Sequence, residues 1–168
     1  MDILYKKISP KEKRKLYDCM KQLDQETDFM LYSPEERLYQ EKQLESFIQN
    51  TQENGILLGA IVQNQIVGVI SAQTSNLTKI KHTGYLVIGV QKEFQKKGIA
   101  SKLFEEIFVW ARNESIHRLE LTVITANFPA IQLYEKLGFY KEGLKKDAIY
   151  MKGRYYDEFY MAKLLEKR

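Results

Sequence analysis

Val87-Ile88-Gly89-Val90-Gln91-Lys92-Glu93-Phe94-Gln95-Lys96-Lys97-Gly98-Ile99-Ala100-Ser101-Lys102 runs from an apolar strand through a basic loop into small residues and an amphipathic helix. Residues 83–90 read as the strand. After Gly98, Ala100, Leu103, Phe104, Ile107 and Ala111 recur at helical spacing. A helix N-terminus presents unpaired N–H groups and the positive end of a dipole, so it favours an anion. Gly98 and Ala100 lack bulk and let backbone approach that anion closely, while Lys92, Lys96, Lys97 and Lys102 add positive charge. Together these features suit a pyrophosphate. The loop has neither the GKS/T ending of a P-loop nor the three glycines of a dinucleotide fingerprint. On charge alone, a solvated lysine-rich loop is the plainer account.

Toward the N-terminus, residues 55–62 and 66–73 are rich in branched apolar side chains and flank Gln63-Asn64-Gln65, which predicts a hairpin. Residues 3–8 read as a first strand ending at Ser9-Pro10-Lys11-Glu12, a capping box with proline at the first helical position. Leu16, Met20 and Leu23 continue that helix to about Asp24. Ser33-Pro34-Glu35-Glu36 repeats the start signal for a second helix carrying Leu44, Phe47 and Ile48. Toward the C-terminus, residues 118–124 alternate as a strand and 129–137 read as a short helix. Gly138 suits the left-handed cap of that helix. Residues 139–145 and 158–165 read as closing strands. The order β-α-α-β-β-β-α-β-α-β-β predicts one α/β domain over residues 1–168, with helices on both faces of a mixed, mostly antiparallel, twisted sheet of about seven strands.

Composition narrows the classes further. With 168 residues, 44% hydrophobic and 29% charged, the chain can build a core, which excludes a disordered class. One cysteine, Cys19, excludes a disulfide-stapled scaffold, and with two histidines it predicts no His/Cys zinc site. The apolar run at residues 55–62 is too short to cross a membrane, and the first residues carry charges where a signal peptide needs an apolar stretch. A cytoplasmic protein without a membrane partner is the expectation. The net charge of +4 is a modest excess with no nucleic-acid motif beside it, so no nucleic-acid partner is expected.

A second motif follows at Asn127-Phe128-Pro129-Ala130-Ile131-Gln132-Leu133-Tyr134-Glu135-Lys136-Leu137-Gly138-Phe139. With Gln-x-x-Gly-x-Ala at residues 95–100, and one helix and one strand between the two motifs, the sequence resembles the GNAT superfamily of N-acetyltransferases. The resemblance covers roughly residues 56–165. It implies acetyl-CoA as cofactor, with pantetheine in a gap between the strand of Ile88, Gly89 and Val90 and the strand of residues 119–123. Backbone groups near Ile88 and Val90 would pair with its amides, and the Val90 N–H would face the thioester oxygen. Backbone N–H groups of Gln95, Lys96, Lys97, Gly98, Ile99, Ala100 and Ser101 would hold the pyrophosphate. The Asn127 amide would also bond to the cofactor. Tyr134 would sit near the sulfur and protonate the departing thiolate, since a phenol with pKa near 10 keeps its proton at neutral pH.

An amine acceptor must lose a proton, and many members of that superfamily carry a glutamate on the strand before the loop. Here residues 79–90 contain no acidic side chain, and Tyr85 stands about where the glutamate is expected. Glu26 is the candidate base, beside Asp28, Glu120, His82, His117 and a water relay. The acid-rich segment 23–30 and the tyrosine-rich segment 154–160 are candidate walls for a small-molecule or peptide amine. Cys19 lies in neither motif and implies no acetyl-cysteine intermediate. The expected activity is direct acetyl transfer to a primary amine in a ternary complex. The missing strand glutamate leaves a non-catalytic acyl-CoA-binding or sensing module as the alternative, and an edge strand such as the last one leaves a homodimer open.

Overall fold

Gln63 and Asn64 both adopt positive φ, 48° and 65°, the backbone a two-residue hairpin turn requires. They join β2, Gly55–Val62, to β3, Gln65–Gln73. A computed structural model of the chain describes residues 1–166. Around that hairpin stand β1 Leu4–Lys7, α1 Lys13–Glu26, α2 Glu41–Glu53, β4 Thr83–Val90, α3 Ile99–Asn113, β5 Arg118–Ile124, α4 Phe128–Lys136, β6 Tyr140–Met151 and β7 Arg154–Leu164. The strands form one sheet of seven in the order β1-β2-β3-β4-β5-β7-β6. All neighbours are antiparallel except β4 and β5.

Strand alternation sorts side chains to two faces. On one, Leu58, Ala72, Leu86, Leu119, Leu121, Val123 and Met161 pack against Leu103, Phe104 and Ile107 of α3 and Ile131 and Tyr134 of α4. On the other, Leu57, Ile61, Ile66 and Val69 meet Leu16, Cys19 and Leu23 of α1 and Ile48 of α2. Each fully buried aliphatic contributes about 1.5–3 kcal/mol relative to exposure. Helix α1 meets β4 at Gly89, where a Cβ would stand 2.8 Å from Leu23 Cδ1. The same face of β4, β5 and β7 carries Tyr85, Val87, Glu120, Thr122 and Tyr160, which are exposed or half-buried.

The mixed sheet with helices on both faces matches the sequence expectation, and three details differ. The capping box at Ser33 forms, but it opens only the 3₁₀ turn Pro34–Glu36, and α2 begins at Glu41. Arg37 leaves helical geometry at φ −86° and ψ 103° because its guanidinium pairs with the buried Asp24 and its carbonyl accepts from Tyr17 Oη at 3.0 Å. Strands β6 and β7 run well past the expected bounds and meet at a turn with Lys152 and Gly153 at positive φ. The polar residues 145–147, which read as a strand end, lie at a register shift where Asp147 N–H donates to Asp157 Oδ1 at 2.8 Å. Finally, the last strand is not an edge: the hairpin places β7 between β5 and β6, leaving β6 and β1 at the rims.

Candidate active site

Strands β4 and β5 pair only from Thr83 to Tyr85 against Arg118 to Glu120. Beyond Tyr85 they separate, while β4 stays paired with β3 as far as Val90. Gln91 N–H donates to Val67 O at 2.9 Å. Antiparallel alternation then turns the N–H groups of Ile88 and Val90 the other way, into the fork. Gly89 serves the opposite side, where its missing side chain admits Leu23.

The fork ends at the 3₁₀ turn Lys92–Phe94 and the start of α3. Lys96 and Gly98 adopt positive φ, 60° and 79°. Gly98 is the helix N-cap with no side-chain cap bond, and the first turn of α3 holds no acidic residue. A Cβ on Gly98 would meet nothing within 4 Å. The first N–H groups of α3 therefore face open space, the arrangement an anion neutralises. Ile99 is buried and fixes the helix start, Ala100 is half-buried, and Lys96 and Lys97 are exposed. The Gln95 amide donates to Val90 O at 3.0 Å, tying loop to strand. Lys102 departs from the sequence reading: its ammonium pairs along the helix with Glu106 at 3.2 Å and Glu105 at 3.4 Å.

Tyr134 comes to the fork from α4. It is 8% exposed, with ring centroids 5.8 Å from Phe104 and 6.1 Å from Phe139. Burial pushes its phenol up to about 12, and the neighbouring Tyr85 phenol adds to the rise. Asn127 caps α4, its Oδ1 accepting from Ala130 N–H at 3.4 Å, so its amide nitrogen is the end able to donate outward.

The base candidates are dispersed. Glu26 closes α1, with Oε2 accepting from Lys92 N–H at 2.7 Å and Oε1 from the Gln22 amide at 2.9 Å. Asp28 pairs with Lys152 at 2.6 Å, joining the α1–α2 link to the β6–β7 turn. His82 and His117 stand together at the closed end of the fork, rings 6.5 Å apart, with His82 O accepting from His117 N–H. Glu120 is bound to Arg118 Nε at 2.8 Å, and the same guanidinium holds Glu142. The Glu142 bond raises the Arg118 pKa, while the Arg118 bond lowers that of Glu142. Cys19 is buried on α1, and burial pushes its thiol up to about 12.

A cavity of about 340 Å³ lies against the fork, lined among others by Tyr85, Arg118, Glu120, Thr122, Glu142 and Tyr160. Tyr85 Oη and Thr122 Oγ1, 3.0 Å apart, join the two strands at its floor. Three of these residues, Arg118, Thr122 and Glu142, are missed by the reading of the sequence. Arg118-x-Glu120-x-Thr122, at the two-residue period of one strand face, is the signal that could have found the first two. From segment 154–160, Tyr160 reaches the cavity, whereas Arg154 packs over the Tyr156 ring at 5.6 Å near the hairpin tip.

Residues 18–139 match the model of the Acetyltransferase (GNAT) family. An L-amino acid N-acetyltransferase of Escherichia coli is 32% identical over 108 residues, 64% of this chain and 67% of that protein. The matched stretches span 60% to 67% of the first three curated relatives. The crystal structure of a GNAT-family acetyltransferase from Streptococcus pneumoniae superposes with a TM-score of 0.92 at 30% identity, covering 98% of this chain and all (100%) of that one. A phosphinothricin acetyltransferase from Sinorhizobium meliloti, solved in complex with acetyl-CoA, shares the fold at a TM-score of 0.85 and 18% identity, over 98% and 89% of the two chains. The overall fold is thus held in common with solved acetyltransferases, and the chain belongs to the acetyltransferase (GNAT) family.

Proposed function

We propose that this protein transfers an acetyl group from acetyl-CoA directly to a primary amine, both bound at once. The observation that carries this is the fork: it offers inward N–H groups from Ile88 and Val90, an uncapped α3 N-terminus at one end and the buried Tyr134 phenol at its side. These residues fit the cofactor. The N–H groups of residues 95–101 would hold the pyrophosphate, Ile88 and Val90 the pantetheine amides, and the Asn127 amide nitrogen would donate to it. Bound acetyl-CoA supplies an acetyl group activated as a thioester.

Val90 N–H is the donor for the oxygen that gains negative charge during transfer. Tyr134 acts as general acid for the departing sulfur. A phenol pushed up to about 12 stays fully protonated through neutral pH, so the proton is in place as charge develops on sulfur. Glu26 has both oxygens engaged, so we assign it to holding the Lys92 turn beside the fork rather than to deprotonation. The cavity beside Tyr85 is the entry for the amine, a small molecule or a peptide N-terminus.

The missing carboxylate on β4 favours a second reading, CoA binding without turnover. Thiol release from acetyl-CoA over a panel of an L-amino acid, a linear diamine and a short peptide separates the two. Turnover in wild type that falls about 10²- to 10⁴-fold in Tyr134→Phe, with acetyl-CoA affinity retained, is the expected result. Acetyl-CoA binding with no release across the panel would favour the non-catalytic reading.

A further inference from the structure

We propose that Tyr85 seats the acceptor amine, its phenol oxygen accepting a hydrogen bond from the amine nitrogen while Thr122 holds that oxygen in place. The proposal rests on the transfer reading above. Tyr85 is the last β4 residue paired with β5, and its hydroxyl reaches Thr122, one step into the separated part of the fork. Each hydroxyl carries one proton and two lone pairs. When Tyr85 donates to Thr122 Oγ1, the Tyr85 lone pairs are left to receive an N–H.

Two further facts place that oxygen at the reaction. Tyr85 is 38% exposed and lines the cavity, so its hydroxyl is bound to the protein yet open to a ligand. It also stands near enough to act electrostatically on Tyr134, which approaches from the opposite face of the sheet. The two phenols flank the fork, one on the amine side and one on the sulfur side. Glu120, the carboxylate nearest along the floor, is engaged by Arg118 at 2.8 Å.

The step balances without a charge change at Tyr85. The neutral amine nitrogen forms the new N–C bond and the C–S bond breaks. Tyr134 gives its proton to sulfur, and the nitrogen releases its own to water in the cavity, from which Tyr134 is reprotonated. Tyr85 is therefore an orienting acceptor rather than a base.

Tyr85→Phe keeps the ring and removes the oxygen. With the best acceptor of the amine panel at saturating acetyl-CoA, kcat/KM for the amine should fall about 10- to 100-fold. Acetyl-CoA affinity by calorimetry should stay within about twofold, which also reports an intact fold. Thr122→Val should lose less, and the double variant should be no worse than Tyr85→Phe, because the pair acts as one unit. Tyr85→Phe within about twofold of wild type, additive losses, or a loss confined to acetyl-CoA affinity would each overturn the role while leaving transfer standing. Wild type that binds acetyl-CoA and acetylates nothing in the panel would overturn both.

Discussion

Tyr134 lies among Phe104 and Phe139, whereas Tyr85, on the opposite face, is 38% exposed and tied to Thr122. In the proposed transfer one side-chain chemistry serves two tasks, because burial keeps the proton on one phenol and partial exposure leaves lone pairs on the other. Burial acts the same way on Cys19, whose folded thiol sits near 12 against an ordinary 9.0. Between those values the unfolded chain has lost the proton and the folded chain keeps it, so stability falls as pH rises. Below about 9 both states are protonated and the group contributes nothing to the slope. Cys19→Ala should flatten the stability curve between pH 9 and 11 by up to about 1.4 kcal/mol per pH unit, read by urea unfolding. Parallel wild-type and variant curves would show that the thiol is not held neutral. Tyr134 was legible because its motif is local, and Tyr85 because a carboxylate was missing at its place. The grip of Arg118 on Glu142 was not legible, since it joins residues 24 apart in sequence across strands.

Among the elements, the segment between α1 and α2 shows how a long-range contact overrides a local signal. The box Ser33 to Glu36 is chemically complete, with Glu36 Oε1 accepting from Ser33 N–H at 2.9 Å. A helix does not propagate from it because Arg37 is drawn to Asp24, whose side chain is 0% exposed. The link is therefore fastened to α1, while Glu26 fastens α1 to the turn after β4. Removing one partner of a buried ion pair strands the other. Asp24→Ala should destabilise the protein by about 3–5 kcal/mol by denaturant unfolding. A loss below about 1 kcal/mol would mean that Arg37 finds solvent and the link is not pinned there. The extension of β6 and β7 escaped the sequence for a related reason. Residues 145–147 read as the end of a strand, yet a register shift and the Asp157 carboxylate keep them in the hairpin.

At the scale of the whole molecule, α3 and α4 cover one face of the sheet, while α1 and α2 cover the other only over β1 to β3 and the end of β4. The uncovered part of that face is where the cavity opens, and the fork connects it to the α3 N-terminus. Strand and helix order were readable from periodicity and two motifs. Which half of the sheet stayed bare was not, because it depends on where α1 and α2 land. The central claim is that the fork and the α3 N-terminus hold acetyl-CoA, and Gly98 is where it is most exposed to test. A side chain there meets no protein atom, so the fold tolerates it apart from about 1–2 kcal/mol for the left-handed φ of 79°. Gly98→Glu would nevertheless set bulk and negative charge against the anion site. The measurement is calorimetric titration of acetyl-CoA into wild type and Gly98→Glu, with thermal unfolding as the folding control. Binding by wild type, weakened at least about 100-fold in a folded variant (~2.7 kcal/mol), is the predicted result. Equal binding by the two proteins, or none by wild type, would contradict the placement of acetyl-CoA in this fork.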